Sequence, residues 1–299
     1  MEWKKYVGVV GTILLIIGFC DFAVGAFSKK LILSVPDVGV NQTNAVQAMF
    51  KRNVDVLILG PSSANHHYNC KIIEDSLGMT VYNAGRDGQN IIYAAMVLAA
   101  IVERNAPKKV FLDMSSVMLD GEWNSHLSDM YCFYGMSNQV DSIIRDVSSW
   151  QDRFNLHLNL YRYNNTWPGI VNGYLAKTQE DMNGYRPMPV QNGEMKSSFS
   201  KRHFIADSMD VEYLNHIVAL CKKKQIDLVV CASPSLNVSG GNFHRFMKDY
   251  CDKNQLSYLN WNGDTAYINH PELFYDMSHL NTIGADKFTK ELVYKISNR

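Results

Sequence analysis

The feature that most constrains this chain is a series of short, unbroken apolar runs, each followed by turn residues and then by a helical pattern. Asp55-Val56-Leu57-Ile58-Leu59-Gly60 is the clearest of them. A run with no polar alternation suits a strand buried on both faces, as in a parallel sheet covered by helices. Similar runs fall at residues 80–83, at 109–113 after Pro107, at 227–232 and at 256–260. Helical patterns lie between them at 90–102, 209–224 and 243–254, and a last one at 283–296 follows Asn281 or Thr282 as its N-cap. The 209–224 stretch ends in Lys222-Lys223-Lys224, which complements a helix dipole. Strands alternating with helices give an α/β fold with a central five-stranded parallel sheet.

Two stretches stand outside this rhythm. Residues from about 117 to 205 are rich in Tyr, Asn, Trp and Met, include Trp167-Pro168 and Arg186-Pro187-Met188-Pro189, and show no strand pattern. They read as an insertion between the third and fourth strands, either a wall of a binding site or a packing subdomain. The other stretch is the N-terminus. Residues 6–27 are apolar except for Asp21, with Lys4-Lys5 before them and Lys29-Lys30 after. That is about the 20 residues needed to cross a bilayer, with Asp21 toward the far interface. Lys4 and Lys5 favour a cytoplasmic N-terminus, and Lys29 and Lys30 weaken that preference. Val24-Gly25-Ala26 also fits a cleavage site, so a cleaved signal and a buried helix are rival readings. The preferred organisation is a single-pass anchor at 1–30, a connector at 31–50 punctuated by Pro36, Gly39 and Asn41, and an α/β domain at 51–299 outside the cytoplasm.

Several chemistries are disfavoured. The 29 basic residues balance 29 acidic ones, so the chain lacks the basic excess of a nucleic-acid binder, and no nucleic-acid partner is expected. No HExxH, Walker loop, C-x-x-C or G-x-G-x-x-G after a strand occurs, and no metal or other cofactor is called for. His66 and His67 are adjacent and point to different helix faces, which disfavours joint metal binding. Cys231, in a strand, is read as a small core residue.

Three segments carry chemistry because of where they fall. Gly60-Pro61-Ser62-Ser63 follows the first strand, at the carboxyl edge where open α/β sheets hold ligands. Asn83-Ala84-Gly85-Arg86-Asp87-Gly88 follows the second, and its glycines let backbone N–H groups approach an oxyanion. Asp87 is expected to cap the helix that starts near Asn90. Asp276-Met277-Ser278-His279 precedes the last helix, and one loop can present both Asp and His, the carboxylate holding the imidazole in its proton-accepting tautomer. Each segment alone is also an ordinary turn. Together they meet at one sheet edge. Asn83, and Asp113 at the end of the third strand, are read as shaping that edge.

This order of segments resembles the SGNH (GDSL-type) hydrolase family over residues 53–116 and 226–298. The resemblance implies a flavodoxin-like three-layer sandwich and an acyl-serine mechanism without cofactor. It implies Ser62 as nucleophile, His279 as base, Asp276 as its orienting partner, and the N–H groups of Ser62 and Gly88 as an oxyanion hole. The family's third block, Gly-x-Asn-Asp, is replaced here by Leu112-Asp113-Met114-Ser115-Ser116, which has no Asn. Either Ser115 donates instead or the hole keeps two donors, and loss of one donor typically costs about 10²–10³ in rate. The Asn-lacking form is similar to membrane-anchored branches acting on cell-envelope glycans, including alginate-acetylation factors and the D-alanylation protein of lipoteichoic acid. The resemblance therefore implies an esterase or acyl transferase acting on an acylated polysaccharide or other envelope glycan, with a membrane-bound O-acyltransferase as a partner. Trp123, Tyr131, Phe133, Tyr134, Tyr161, Tyr163 and Trp167 in the insertion suit sugar stacking or an ordinary core. A non-catalytic glycan-binding factor on the same fold, or a lipase acting on membrane lipids, are the competing readings.

Overall fold

The computed structural model describes residues 2–36, 43–175, 182–191, 195–200 and 203–298, with backbone alone at residues 2 and 122–126. The five apolar runs form β1 (Val56–Leu59), β2 (Val81–Asn83), β3 (Lys109–Asp113), β4 (Asp227–Ala232) and β5 (Ser257–Asn260). They pair in the order β2-β1-β3-β4-β5, and every pairing is parallel. The chain moves outward from β1 to β2, then returns to the other side of β1 as β3. That reversal opens a crevice between the carboxyl ends of β1 and β3.

The strands are apolar throughout because each feeds two cores. Leu57, Leu59, Val110, Leu112, Leu228 and Val230 face one side. Val56, Ile58, Phe111, Val229 and Cys231 face the other, with Trp261 and Phe288. Helices cover both faces, giving three layers. The helix expected near 90 spans Ile91–Arg104, and Asn90 caps it by accepting from the N–H groups of Ile92 and Tyr93. Asp87 is not the cap: its carboxylate instead accepts from Asn65 and faces His66. Every residue from Ile91 to Val102 is buried. A helix that is apolar all round must be covered all round, and here the insertion supplies part of the cover through Val140, Ile143 and Ile144 of the helix Asn138–Val147.

The insertion is largely helical, and its two-residue strand Ser198–Phe199 pairs with Asn237–Val238. Tyr131, Phe133 and Tyr163 are buried in its packing; Tyr134, Tyr161 and Trp167 lie against the same core, and the Trp123 side chain lies outside the described residues. The six cysteines are free, five of them buried and Cys20 exposed.

The N-terminal helix, α1 (Glu2–Ser34), is long and apolar enough to cross a membrane. It runs past the expected end at residue 30. Gly39 and Asn41 of the connector lie outside the described residues, whereas residues 43–49 are buried against the domain. Asp21 interrupts the apolar stretch at a stated place: its carboxylate accepts from the N–H groups of Asn159 and Leu160 at 3.0 and 2.9 Å and from the Asn159 side-chain amide at 2.9 Å.

Candidate active site

β1 ends at Gly60, whose φ of +145° suits glycine. A Cβ there would stand 2.7 Å from the Asp113 carbonyl oxygen and 2.9 Å from Ala64 Cβ, so the tight exit from β1 has no room for a side chain. The chain turns through Pro61 into the short helix α2 (Ser62–His67), placing Ser62 at its first residue. Among the described residues the Ser62 N–H has no backbone acceptor, as expected for the first N–H of a helix. The segment after β2 is pinned beside this turn. Arg86 N–H donates to the Gly60 carbonyl at 3.1 Å, and the Asn83 amide donates to the Ala64 carbonyl at 2.7 Å while its oxygen takes the Gly85 N–H at 2.9 Å. Asn83 is thus a buried tie between β2 and α2.

The loop before the last helix, α3 (Thr282–Ser297), is equally constrained. Asn281 caps that helix by accepting from Ile283 and Gly284. Phe274 and Leu280 bridge across the loop neck. Between them Asp276 accepts from the N–H groups of Ser278 and His279 at 2.7 and 2.9 Å. His279 Nδ1 lies 2.8 Å from Asp276 Oδ2, and His279 Nε2 lies 2.7 Å from Ser62 Oγ. A carboxylate on Nδ1 fixes the proton there, leaving Nε2 to accept the Ser62 hydroxyl proton. Burial pulls the Asp276 carboxyl upward, but the hydrogen bonds from His279 and Ser278 outweigh it, so its pKa lies below the ordinary carboxylate value. Residues 217 positions apart in the chain therefore form one hydrogen-bonded line from carboxylate to hydroxyl.

Behind Ser62 stands a second, buried network that the sequence did not disclose. Asp113 is fully buried and accepts from Ser63 Oγ, from Tyr68 Oη at 2.9 Å, and from Ser233 N and Oγ at 3.0 and 2.9 Å. Burial raises its pKa above the ordinary value, against the pull of those donors. One carboxylate thereby joins α2, β3 and the segment after β4. His67 extends the network. Leu280 N–H donates to its Nε2 at 2.9 Å, so Nδ1 carries the proton and donates to Ser233 Oγ at 3.0 Å. Burial, then the neighbouring His279 and His66, hold the His67 pKa well below its ordinary value. His67 is a neutral clamp between the His279 loop and the Asp113 network. His66 sits on another side, its ring 5.3 Å from that of His279, with Nδ1 2.7 Å from the Arg186 carbonyl oxygen and Nε2 3.2 Å from Asp87.

The Ser62–His279 pair opens into a cleft of about 310 Å³ at the β1/β3 switch point. Among the described residues fifteen line it, eight of them serines and two asparagines, and none of these is Asp, Glu, Lys or Arg. Ser115 is on its wall. Gly88 is in the turn after β2 at φ +68° and is not among the lining residues. Nor, among the described residues, are Tyr131, Phe133, Tyr134, Tyr161, Tyr163 and Trp167, which pack in or against the core instead.

Fold and site together define a doubly wound α/β protein with a Ser–His–Asp hydrogen-bonded line at its topological switch point. No family model and no curated protein matches the chain. It is similar to a crystal structure from Bacteroides fragilis NCTC 9343, of a protein provisionally named an acylhydrolase, with a TM-score of 0.43 at 11% identity over 87% of this chain and 99% of that one.

Proposed function

We propose that this chain is a membrane-anchored serine esterase or acyl transferase of SGNH type, acting outside the cytoplasm on an acylated envelope glycan. The observation that carries the proposal is the 2.7 Å contact between Ser62 Oγ and His279 Nε2, with Asp276 on the far nitrogen. In the first half-reaction Ser62 Oγ attacks the ester carbonyl carbon as its proton passes to His279 Nε2. The tetrahedral oxyanion lies against the Ser62 N–H, with the Ser115 hydroxyl on the same cleft wall as a further donor; Gly88, away from the lining, is not assigned a donor role. Collapse breaks the bond to the leaving alcohol, which takes the proton from His279, and an acyl-serine remains. In the second half His279 deprotonates water or a sugar hydroxyl, which attacks the acyl-serine and restores Ser62. Water yields hydrolysis and a sugar hydroxyl yields transfer.

The cleft walls favour a sugar ester over a lipid. Hydroxyls and amides dominate them, and Met114, Val117, Pro61 and Pro234 are the apolar residues that line it. A long acyl chain needs a continuous apolar trough, whereas an acetyl-sized group on a polyhydroxylated ring fits the hydroxyl-rich wall. That none of the described lining residues is charged suits a neutral segment of the glycan. Lys4 and Lys5 before the apolar stretch of α1 favour a cytoplasmic N-terminus, against the weaker counter-signal of Lys29 and Lys30 after it, and this supports a domain beyond the membrane. A membrane-bound O-acyltransferase is the natural source of acyl groups for the transfer reaction. The test compares two substrates with the full chain in detergent. Acetate release from an acetylated polysaccharide, with no fatty acid release from phospholipid vesicles, is the expected result; the reverse pattern assigns a lipase and overturns the glycan reading.

A further inference from the structure

The two halves of α1 meet different surroundings. From Trp3 to Cys20 every residue but Gly11 is exposed. From Asp21 onward one face is covered: Asp21, Gly25, Ser28, Ile32 and Val35 are buried, spaced by three or four as one helical stripe requires. The bare part comprises 18 residues, about 27 Å at the α-helical rise with Lys4 and Lys5 at its outer end, which reaches across most of the roughly 30 Å hydrocarbon core of a bilayer. Asp21 therefore marks the level at which the helix leaves the hydrocarbon. Its carboxylate receives the N–H groups of Asn159 and Leu160, the first turn of the helix Asn159–Tyr163. A Cβ on Gly25 would stand 2.1 Å from the Asn159 side-chain oxygen, so the approach is close as well as bonded. This part of the insertion is thus fixed at the membrane surface by α1 itself.

The same part of the insertion exposes large apolar side chains. Trp150 and Phe154, one turn apart on the helix Trp150–Asn155, are 76% and 72% exposed, and Leu158 and Leu160 are 48% and 55% exposed. We propose that this patch is a second membrane contact, seated in the headgroup–acyl boundary of the bilayer that α1 crosses. Trp and Phe suit that boundary, where an apolar body meets a polar layer. The continuity between Asp21 and Leu160 selects lipid as the occupant, because a bilayer surrounding residues 3–20 necessarily borders the segment bonded to residue 21. With two attachments the domain is held from swinging about the anchor, and the cleft keeps one orientation to the membrane plane.

The proposal rests on α1 spanning the bilayer, and the test separates the two claims. The full chain carries Cys20→Ser, the other cysteines being buried, and one added cysteine: Leu14→Cys, Phe154→Cys, Leu158→Cys or Tyr294→Cys. Each is spin-labelled and reconstituted in phosphatidylcholine/phosphatidylglycerol vesicles, and its relaxation by oxygen, which enters lipid, is compared with that by a water-soluble nickel chelate. The expected result is lipid exposure at 14, shallower lipid exposure at 154 and 158, and water exposure at 294, whose native Tyr is 72% exposed on the last helix. Water exposure at 154 and 158 with lipid exposure at 14 overturns the second contact and leaves the anchor. Shielding of 154 and 158 from both reagents assigns the patch to a contact between copies and also overturns it. Water exposure at 14 removes the anchor and the proposal together.

Discussion

Replacing Asp113 probes the link between the buried network and the geometry of Ser62. In Asp113→Ala, Tyr68 Oη and Ser233 N lose their shared acceptor in the fully buried interior. An unsatisfied buried donor costs about 1–3 kcal/mol, so the two together cost about 2–6 kcal/mol. Ser63 faces the cleft and recovers a water partner. Removal of a buried carboxylate returns part of this, and a net loss of about 2–4 kcal/mol is expected. Asp113→Asn keeps one carbonyl oxygen for Tyr68 and Ser233 N, and the two serine hydroxyls can turn to accept from its amide; about 1–2 kcal/mol is expected. Charge adds a second readout. Burial raises the folded pKa of Asp113 above its ordinary 3.8. A raised folded pKa contributes stability below about pH 3.8 that is lost as pH rises through the folded value, so the parent loses ground to the Asn variant over that rise. Urea unfolding in detergent from pH 4 to 8, with ester turnover measured in parallel, gives both quantities. An Ala variant within 0.5 kcal/mol of the parent, or an Asn variant less stable than Ala, refutes the account of Asp113 as the acceptor that binds three segments together.

Three other outcomes follow from the same geometry. Asp276→Asn removes the charge that fixes the His279 tautomer, so kcat should fall by about 10³–10⁴ while the unfolding midpoint moves little; a fall under tenfold contradicts the assigned role. His67 is buried neutral with a depressed pKa, so the parent should lose stability as pH falls below about 6.5, by up to about 1.4 kcal/mol per pH unit until the folded pKa is reached; His67→Gln should flatten that slope in an acid denaturation series, and an unchanged slope contradicts it. Gly85→Ala would place a Cβ 2.5 Å from the Asn65 backbone nitrogen and 2.7 Å from Ala64 Cβ; the backbone of α2 cannot yield cheaply, and a loss of about 1–3 kcal/mol is expected by thermal unfolding, with no loss showing that α2 is free to move.

The sheet was legible because its strands are buried on both faces. Val56–Leu59 and Asp227–Ala232 have no polar alternation, and the chain offers no other cover for such runs than helices on either side. The cap at Asn281 and the Asp276–His279 loop were legible because their chemistry is local, spanning three or four residues. A helix after the first strand was legible from the strand-turn-helix order, but what holds Ser62–His67 was not, since Ser-Ser-Ala-Asn-His-His has no apolar period and its partners come from Asn83, Asp113 and Thr289. The place of Asp113 at the site edge was legible and its partners were not, because Ser63, Tyr68 and Ser233 come together only once the sheet is assembled. Asp21 read as an interruption of an apolar segment, and its three hydrogen bonds come from residues 138 and 139 positions away. The insertion was illegible for another reason: Tyr131, Phe133 and Tyr163 are buried in the same core as the helix Ile91–Arg104, Trp167 packs on Phe27 of α1, Trp150 and Phe154 are exposed, and composition alone does not separate these places from a sugar-binding wall.

The central claim is that Ser62 is a nucleophile activated by His279. The most direct measurement is mass spectrometry of the full chain after reaction with a fluorophosphonate. The account predicts one adduct, on the peptide bearing Ser62, absent in Ser62→Ala and slowed by orders of magnitude in His279→Ala. A folded parent that stays unmodified, or one modified equally fast without His279, contradicts it.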